Sequence, residues 1–537
     1  MLHRKTAIAL SAAAALMLAG TAAVAQHLSH VPSANPKITG VTLPTVLSPE
    51  LAQVVRAQGA TLLENPTDSA KYYGYLNDKP NLLPALGSNI EASKTEPDKN
   101  TYLILQGLKG PDLQYEYGTH FVFQGHEGGA GYITRVNLDA DAAHRVTVLA
   151  TREADGTPLP TFDGSTWYPW SGRLLFTAEG NGSSSGGVWQ ATPDFPSTAE
   201  NLLGIFGRGG FEGIQADGDG NVWIVEDIGG PTVAGARVPN SFIYRFVPRD
   251  RYNLKHGGKL QELQVVRLDR SGPIVLKPAS ALTQDVKDLH AYGNLFDTQW
   301  VTVHDTDVDG TASFNANALA KAKLATPFKR PENGVFRPGT GFGEFFFTET
   351  GDTNATTTAG SDFGGFGGVF KLMQRSLSAD SGKLALFYRS DVAHTGFDNI
   401  QFWGEHSLAV VEDAGDTLHA QRNALDSGYL FDTRKDYSHP ANQPLRIIAQ
   451  GRDPSATIDS ALLGTPGFQN DGDNEITGIH VSDGDATPQG ILGARRPRPF
   501  KDGWRGFYSG QHGDNVLWEI IRNPRRDGDT DDERDDE

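Results

Sequence analysis

The stretch GRLLFTAEG (residues 172–180) reads as a short apolar strand that ends on a carboxylate, Glu179. Similar phrases recur, each running from an apolar strand into an acid: GNVWIVED (220–227), GEFFFTET (343–350) and HSLAVVED (406–413). A second strand rich in glycine and aromatic residues follows each phrase. Two looser pairs, HFVFQGHEGG with GYITRVNL and RGFYSGQHGD with NVLWEI, bring the units to six. Such recurrence predicts one supersecondary unit used repeatedly.

A leader that opens on a polar residue precedes most of these units and indicates an additional strand. The leaders are STWYPW (165–170), FEGIQADGDG (211–220), RPENGVF (330–336), FDNIQFW (397–403) and NEITGIHV (474–481). Each unit then reads as strand A opening on an acid, strand B closing on an acid, and strand C. Six such antiparallel meanders predict an all-β, six-bladed β-propeller with loop insertions.

The predicted propeller occupies residues 70–522, and residues 26–69 pack outside it. Within that outer segment, LSPELAQVVRAQGATLL (47–63) has apolar residues at helical spacing and predicts a short helix. Residues 1–25 combine a basic start, an alanine-rich apolar run and a small-residue cleavage site, which predicts a signal peptide rather than a membrane anchor. We therefore expect a periplasmic or secreted protein.

Composition narrows the classes of partner. The formal net charge is −18, and the tail at 523–537 is acidic and without apolar residues, which predicts disorder. A nucleic acid is excluded as a partner because its phosphates require a basic surface. The chain contains no cysteine, so disulfides and thiolate metal ligands are excluded. An acid-rich exported chain suits a hard cation such as calcium. Nothing in the sequence indicates the oligomeric state.

Strand geometry predicts that the acids converge. The start of strand A lies beside the end of its antiparallel neighbour B, so acids at both places share one rim of a blade. Turns usually favour Asp and Asn over Glu, and Glu side chains are long enough to reach a shared metal. The acids that follow apolar strands are Glu127, Glu179, Glu226, Glu349 and Glu412. Asp398 opens a leader, whereas Asp227 and Asp413 also fit a role in turns alone.

These motifs resemble the PhoX family of calcium-dependent alkaline phosphatases, which are six-bladed propellers. FQGHEGG is similar to the family's Asn-His-Glu segment, and VWIVEDIGG…FIYRFVP to its Glu-Asp and Tyr-Arg-Phe strands. KRPENG, NEITG and YSGQHGDN are similar to its Arg-x-Glu-Gly, Glu-x-Thr-Gly and Gln-His-Pro-Gly segments. The similarities keep the same order over about residues 120–520.

The resemblance implies calcium and iron cofactors that act on a phosphomonoester, a small anionic substrate. The metal ligands that it implies are Glu127, Glu179, Glu212, Glu332 and Glu475. Arg330 is the implied phosphate clamp, because a guanidinium pairs with phosphate oxygens. His512 is a candidate proton donor to the leaving group. The family's iron-binding cysteine aligns with Ala178, so the soft iron ligand is missing and an all-calcium site is compatible with what remains.

Two alternative functions stay open. FEGIQADGDGNVWIVEDI also resembles the blades of gluconolactonase-like propellers, in which one calcium ion polarises a lactone carbonyl. A non-catalytic propeller that only binds calcium is the other alternative. Arg330 discriminates between these functions, because phosphate chemistry requires a basic group among the acids and calcium binding alone does not. A salt bridge from Arg330 to Glu332 or a neighbour is the competing explanation for this arginine.

Overall fold

The computed structural model describes residues 28–37, 43–76, 93–180, 186–452, 475–512 and 515–526. The predicted signal peptide and most of the predicted acidic tail lie outside these ranges. Every helix within them is too short or too polar to cross a membrane. Strands form most of the regular structure, as the sequence predicts, and they pair antiparallel throughout.

The N-terminal strands are β1 (Val46–Leu47) and β2 (Leu51–Ala57). The first sheet contains β3 (Thr101–Ile104), β4 (His120–Gln124), β5 (Ile133–Asn137) and β6 (Val146–Ala150), in that order. The second sheet contains β7 (Ser165–Tyr168), β8 (Arg173–Ala178), β9 (Gly187–Ala191) and β10 (Ala199–Asn201), also in chain order. Both sheets are therefore simple meanders.

The third sheet has nine strands. Its first half contains β11 (Phe211–Ala216), β12 (Val222–Glu226), β15 (Ile243–Pro248) and β16 (Gly258–Val265), and a separate hairpin of β13 (Thr232–Val233) and β14 (Ala236–Arg237) interrupts it. The sheet continues through β17 (Phe296–Asp305). Its second half contains β18 (Gly334–Phe336), β19 (Glu344–Glu349), β20 (Gly368–Gln374) and β21 (Ser381–Arg389). Strand β17 pairs with both β16 and β21 and so joins the two halves.

The fourth sheet contains β22 (Phe397–Phe402), β23 (Ser407–Glu412), β24 (Ser427–Asp432) and β25 (Leu445–Ala449), with β1 at its outer edge. The fifth sheet contains β26 (Glu475–Ser482), β27 (Arg505–Gln511) and β28 (Val516–Arg522), with β2 at its outer edge. The α-helices of the described residues are α1 (Gln284–Leu289), α2 (Thr306–Asp309), α3 (Ala316–Ala322) and α4 (Gly415–Arg422). Single 3₁₀ turns occupy Ala142–His144, Leu254–His256, Ser361–Phe363 and Pro488–Gly490.

The continuous apolar runs reflect burial on both faces of each sheet. In β12, Val222 and Ile224 pack in one core with residues of the second sheet, including Leu175. Trp223 and Val225 point the other way, into a core that contains Phe345 of β19. Successive side chains of a strand point to opposite faces, so each strand contributes to two cores and needs no polar face.

The first strand of each unit lies at the inner edge of its sheet. These inner strands, β3, β7, β11, β18, β22 and β26, contact one another in chain order, and β26 contacts β3, so they close a ring. This ring confirms an all-β, propeller-like arrangement. The structure has five large sheets, however, because β17 fuses two of the predicted units into one.

The predicted N-terminal helix is wrong. Residues 51–57 form strand β2, which pairs antiparallel with β28 and aligns Val55 with Trp518. The apolar residues do have helical spacing, but the β-branched Val54 and Val55 favour a strand. The edge of β28 also offers backbone hydrogen-bond partners, which a helix would not use. Tertiary pairing therefore overrides the local pattern.

Candidate metal centre

An acid stands within three residues of the start of every inner strand. These acids are Asp98, Asp163, Glu212, Glu332, Asp398 and Glu475, in the order β3, β7, β11, β18, β22 and β26. All of them are buried. Because the inner strands close a ring and start at the same end of it, their opening acids converge on one place.

Seven carboxyl groups form three overlapping clusters, in each of which ligand oxygens lie within 4.8 Å of one another. The clusters are Asp98–Glu127–Asp163, Asp163–Glu179–Glu212 and Glu212–Glu332–Asp398. Asp163 and Glu212 each belong to two clusters, so the three make one continuous array. The structure thus brings together five of the predicted ligands: Glu127, Glu179, Glu212, Glu332 and Asp398.

The residues that follow the second strands extend this array. Asp227 and Asp413 directly follow β12 and β23, and each interacts electrostatically with members of the array or with Arg330 beside it. Glu475, a further predicted ligand, accepts a hydrogen bond from His512 Nε2 at 2.9 Å. We call this whole set the ring acids: Asp98, Glu127, Asp163, Glu179, Glu212, Asp227, Glu332, Asp398, Asp413 and Glu475.

Crowding and burial favour the protonated form of most of these groups in the absence of cations. Burial raises the pKa values of most ring acids well above the usual range, and neighbouring carboxylates raise them further. For Glu332, burial and the charge of Asp227 raise the pKa to about 7, although Arg330 opposes them. A divalent cation among the oxygens would relieve this repulsion and favour the ionised forms.

The opposite side of the array carries a buried lysine that sequence reasoning missed. The Nζ atom of Lys99 donates to Asn399 Oδ1 at 2.7 Å, and Asn399 Nδ2 in turn donates to both carboxylate oxygens of Asp398 at 2.8 and 2.9 Å. Burial lowers the pKa of Lys99 to about 8, against the influence of Asp398 and Asp98. The chain therefore supplies one cation of its own to this acidic interior.

Arg330 lies at the edge of the ring acids with its side chain 20% exposed. Its Nε atom donates to both oxygens of Asp227 at 3.0 Å, and its Nη2 atom donates to Asp227 Oδ2 at 2.7 Å. The same Nη2 atom lies 3.3 Å from Glu332 Oε1. The salt bridge that the sequence offered as an alternative is thus present, chiefly to Asp227. It holds the guanidinium in place and leaves Nη1 free of hydrogen bonds to the described residues.

His512 is held by carboxylates on both sides. Its Nε2 atom bonds Glu475, and its Nδ1 atom lies 3.0 Å from Glu96 Oε1. Burial alone would lower its pKa, but these two partners raise the pKa of His512 to about 12. The imidazolium therefore balances the charge of the two carboxylates at neutral pH. Proton donation to a leaving group stays a prediction, and these two contacts do not favour it.

Three predicted ligands lie elsewhere: Glu226, Glu349 and Glu412, here called the inter-sheet acids. Glu226 Oε2 accepts hydrogen bonds from Tyr244 Oη at 3.0 Å and Asn317 Nδ2 at 2.9 Å. Glu349 Oε2 lies 2.8 Å from His290 Nε2. None of the three belongs to a cluster that could hold a metal among the described residues.

Of the three inter-sheet acids, Glu412 is the one that pairs with an arginine. Its Oε2 atom accepts from Arg422 Nη2 at 3.0 Å and from the Ser427 amide at 2.9 Å. The physical reason for this placement is alternation, since Glu412 and Asp413 point to opposite sides of the same strand. In each Glu-Asp pair, Glu points between the sheets and Asp points to the ring, the reverse of the assignment made from the sequence.

Asp98 and Asp163 escaped the sequence analysis, whereas Asp227 and Asp413 were noted there only as acids that also fit turns. Side chains alternate between the two faces of a strand, so counting from the apolar core positions would have placed Asp227 on the opposite face from Glu226, and Asp413 on the opposite face from Glu412. The phrase FDGSTWY (162–168) also parallels FDNIQFW (397–403), so starting this leader three residues earlier would have identified Asp163. Asp98 lies in EPDKNTYLI, three residues before β3, where the repeat is least regular.

The donor set fits a hard cation. Carboxylate oxygens are the ligands that calcium prefers, and overlapping clusters can supply the six to eight that it takes. An iron centre with a thiolate ligand does not fit, because the chain has no cysteine and the aligned residue, Ala178, is a buried methyl group at the end of β8. The array is therefore suited to cations bound by oxygen.

Comparison with known proteins confirms the predicted resemblance. The family model of the alkaline phosphatase PhoX matches residues 233–436, a range that includes Arg330, Glu332, Asp398 and Asp413. No curated protein matches the chain in sequence. The matching family is thus a family of phosphatases, which is the enzyme class that the sequence predicts.

The fold is similar to that of PhoX from Pseudomonas fluorescens, solved in complex with vanadate, a transition state analogue. The TM-score is 0.52 at 13% identity, and the match covers 92% of this chain and 98% of that chain. The catalytic domain of a Coprinopsis cinerea GH62 α-L-arabinofuranosidase matches at a TM-score of 0.33 and 8% identity over 70% of this chain and 95% of its own. The first likeness supports the propeller-like fold, and the second is too low to carry an argument.

Proposed function

We propose that this chain is an exported, calcium-dependent phosphomonoester hydrolase of the PhoX type. The observation that carries the proposal is a guanidinium, that of Arg330, fixed at the edge of an array of buried carboxylates. A site that only held calcium would gain nothing from an arginine there, because the arginine repels the cation. An anion lying over bound cations would use both features.

The proposed propeller has six blades. The nine-stranded sheet divides at β17 into β11–β12–β15–β16 and β18–β19–β20–β21, and each half has one inner strand in the ring. This division gives one blade for each inner strand. A crystal structure in which β16, β17 and β21 form one flat, continuous blade would contradict it.

The three carboxylate clusters are the proposed calcium sites, and Glu475 and Asp413 border them. Bound calcium would neutralise phosphoryl oxygens and activate an oxygen nucleophile. The chain's own residues do the rest: Asp227 fixes the Arg330 guanidinium, and the free Nη1 atom is available to a phosphoryl oxygen that gains charge in the transition state. His512 holds Glu475 through a charged hydrogen bond and lowers the repulsion among the acids.

The proposal predicts that Arg330→Ala reduces turnover of p-nitrophenyl phosphate by about a hundredfold or more, in line with the loss of one transition-state donor. Calcium-dependent melting should hardly change, since the carboxylates remain. Arg337→Ala is the matched control: this arginine follows the opposite end of β18, is similarly exposed, and pairs with Glu344 at 2.9 Å. The control should retain turnover.

The alternatives give different results in the same assay. An unmutated protein that is inactive on phosphomonoesters with calcium or iron supplied, but still stabilised by calcium, would support the lactonase or the non-catalytic binding function. If activity survives Arg330→Ala and disappears in Glu212→Ala, the metal centre is supported and the clamp assignment is wrong.

Sequencing the N-terminus of exported protein tests the proposed signal peptide, with a new N-terminus expected near residue 26.

A further inference from the structure

The hairpin β13–β14 is fixed beside Arg330 by hydrogen bonds to the loop at 352–358. The Thr358 amide donates to the Gly235 carbonyl at 3.1 Å, and Thr358 Oγ1 donates to the Ala234 carbonyl at 2.8 Å. The backbone amide of Arg237 donates to Asp352 Oδ2 at 3.3 Å. The backbone that carries Arg237 is thus well anchored.

The side chain of Arg237 has no such anchor. Its guanidinium makes no hydrogen bond and no ion pair with the described residues, although the chain carries a formal net charge of −18 and the neighbouring Lys329 and Arg330 are both paired. The side chain is only partly exposed. A partly buried guanidinium without a carboxylate partner has lost hydration and gained no counter-charge.

Arg237 and Arg330 converge on one point. A methyl group built on Gly229 would lie 2.5 Å from Arg237 Nη1 and 3.9 Å from Arg330 Cδ. The two arginines therefore flank the same backbone position. The third cation here, Lys329, is satisfied, because its Nζ atom lies 3.1 Å from Asp352 Oδ1. The Arg330 guanidinium has Asp227 as its counter-charge, whereas the Arg237 guanidinium has none among the described residues.

We propose that Arg237 is a second guanidinium of the substrate clamp and, with Arg330, binds the phosphoryl oxygens of a phosphomonoester. The assignment rests on the proposed function. Two guanidinium groups from different loops can engage different oxygens of one phosphate, since each presents its donors in a fixed planar fork. Arg330 is tied to Asp227 and so is held rigid, whereas Arg237 is free to turn towards the bound anion.

Inorganic phosphate is the probe, titrated into the calcium-loaded mature protein by calorimetry. Arg237→Gln should weaken phosphate binding by about tenfold or more, as expected for a lost charge-assisted hydrogen bond. With p-nitrophenyl phosphate the loss should fall mainly on KM if the contact is equal in substrate and transition state. Arg237→Lys should recover part of the affinity.

Gly229→Ala is the second variant, because it moves the guanidinium and removes no charge. The added methyl group meets the flexible end of Arg237, so the backbone need not shift, and phosphate binding should weaken as in Arg237→Gln. Arg270→Gln is the control: Arg270 is highly exposed on a loop and lies 3.5 Å from Asp297. Its phosphate affinity should equal that of the unmutated protein.

The outcomes separate this inference from the proposed function. If the unmutated protein binds phosphate and Arg237→Gln and Gly229→Ala bind it equally well, Arg237 is not part of the clamp. If the unmutated protein neither binds phosphate nor hydrolyses p-nitrophenyl phosphate, the proposed function itself is wrong. Unchanged calcium-dependent melting in both variants establishes that they are folded.

Discussion

Glu226 and Asp227 are consecutive acids at the end of one strand, yet they serve two different regions of the molecule. Glu226 points between sheets, where a tyrosine hydroxyl and an asparagine amide both donate to its Oε2 atom. Asp227 points to the ring, where it pairs with the Arg330 guanidinium. Glu412 and Asp413 repeat the contrast on another strand. The inter-sheet acids have fixed protein partners, whereas most ring acids face one another in clusters that could hold a metal.

The largest effect should come from the ring acids as a group. Chelation should lower the melting temperature by about 5 °C or more, and calcium should restore it, because a ligand in thousandfold excess over its Kd adds about 4 kcal/mol per site. Differential scanning calorimetry measures this. Glu212→Gln, which alters two clusters, should reduce the calcium response, whereas Glu349→Gln should retain it. Melting curves indifferent to chelator and calcium would contradict a metal centre.

A smaller effect should distinguish Glu412 from its neighbour Asp413. Glu412→Gln removes the nearer of the two carboxylates that pair with the buried Arg422 guanidinium and leaves only Asp426, so the free energy of unfolding should fall by about 2 kcal/mol. The loss should be the same with and without calcium. Asp413→Asn should alter only the calcium-dependent part of the stability. Urea unfolding at two calcium concentrations measures both, and equal behaviour of the two variants would remove the distinction between the regions.

The effect that is smallest per pH unit concerns Glu262 on β16, which is fully buried between the sheets and whose carboxylate oxygens have no hydrogen-bond partner within the described residues. Burial raises its pKa well above 4.5, and the charge of Glu226 raises it further. The folded state therefore keeps a proton that the unfolded state releases. The stability that this provides is complete below pH 4.5 and is lost as pH rises towards the folded-state pKa.

Glu262→Gln should consequently flatten the fall in stability above pH 4.5, by at most about 1.4 kcal/mol per pH unit. Calcium should be saturating in these measurements, so that the ring acids stay ionised and do not contribute. Urea unfolding from pH 4.5 to 8 gives the slopes. Identical slopes in the variant and the unmutated protein would mean that Glu262 has a partner in solution, such as a cation or a water.

Much of this architecture could be predicted from the recurring strand–acid–strand phrases, because apolar runs bounded by turns determine strands locally. The convergence of Glu212, Glu332 and Asp398 followed from the same repeat. The choice between Glu226 and Asp227 did not, because it depends on which face of the strand meets the ring. Lys99 was also missed, since a lone lysine before a strand has no local pattern and acquires its meaning only from Asp398 and Asn399 across the ring. The strand at 51–57 depended on an edge supplied by residues 516–522.

That last pairing determines when the molecule can be completed. Strand β2 closes a sheet whose other strands come much later in the chain, and Arg56 contacts Glu519 across a separation of 463 residues. Strand β1 does the same for β25. The amino-terminal strands therefore stay unpaired until β25 and β28 have been synthesised. Proteolytic removal of β1 and β2 after folding would leave two sheets with unpaired edge strands, the kind of surface through which β proteins aggregate.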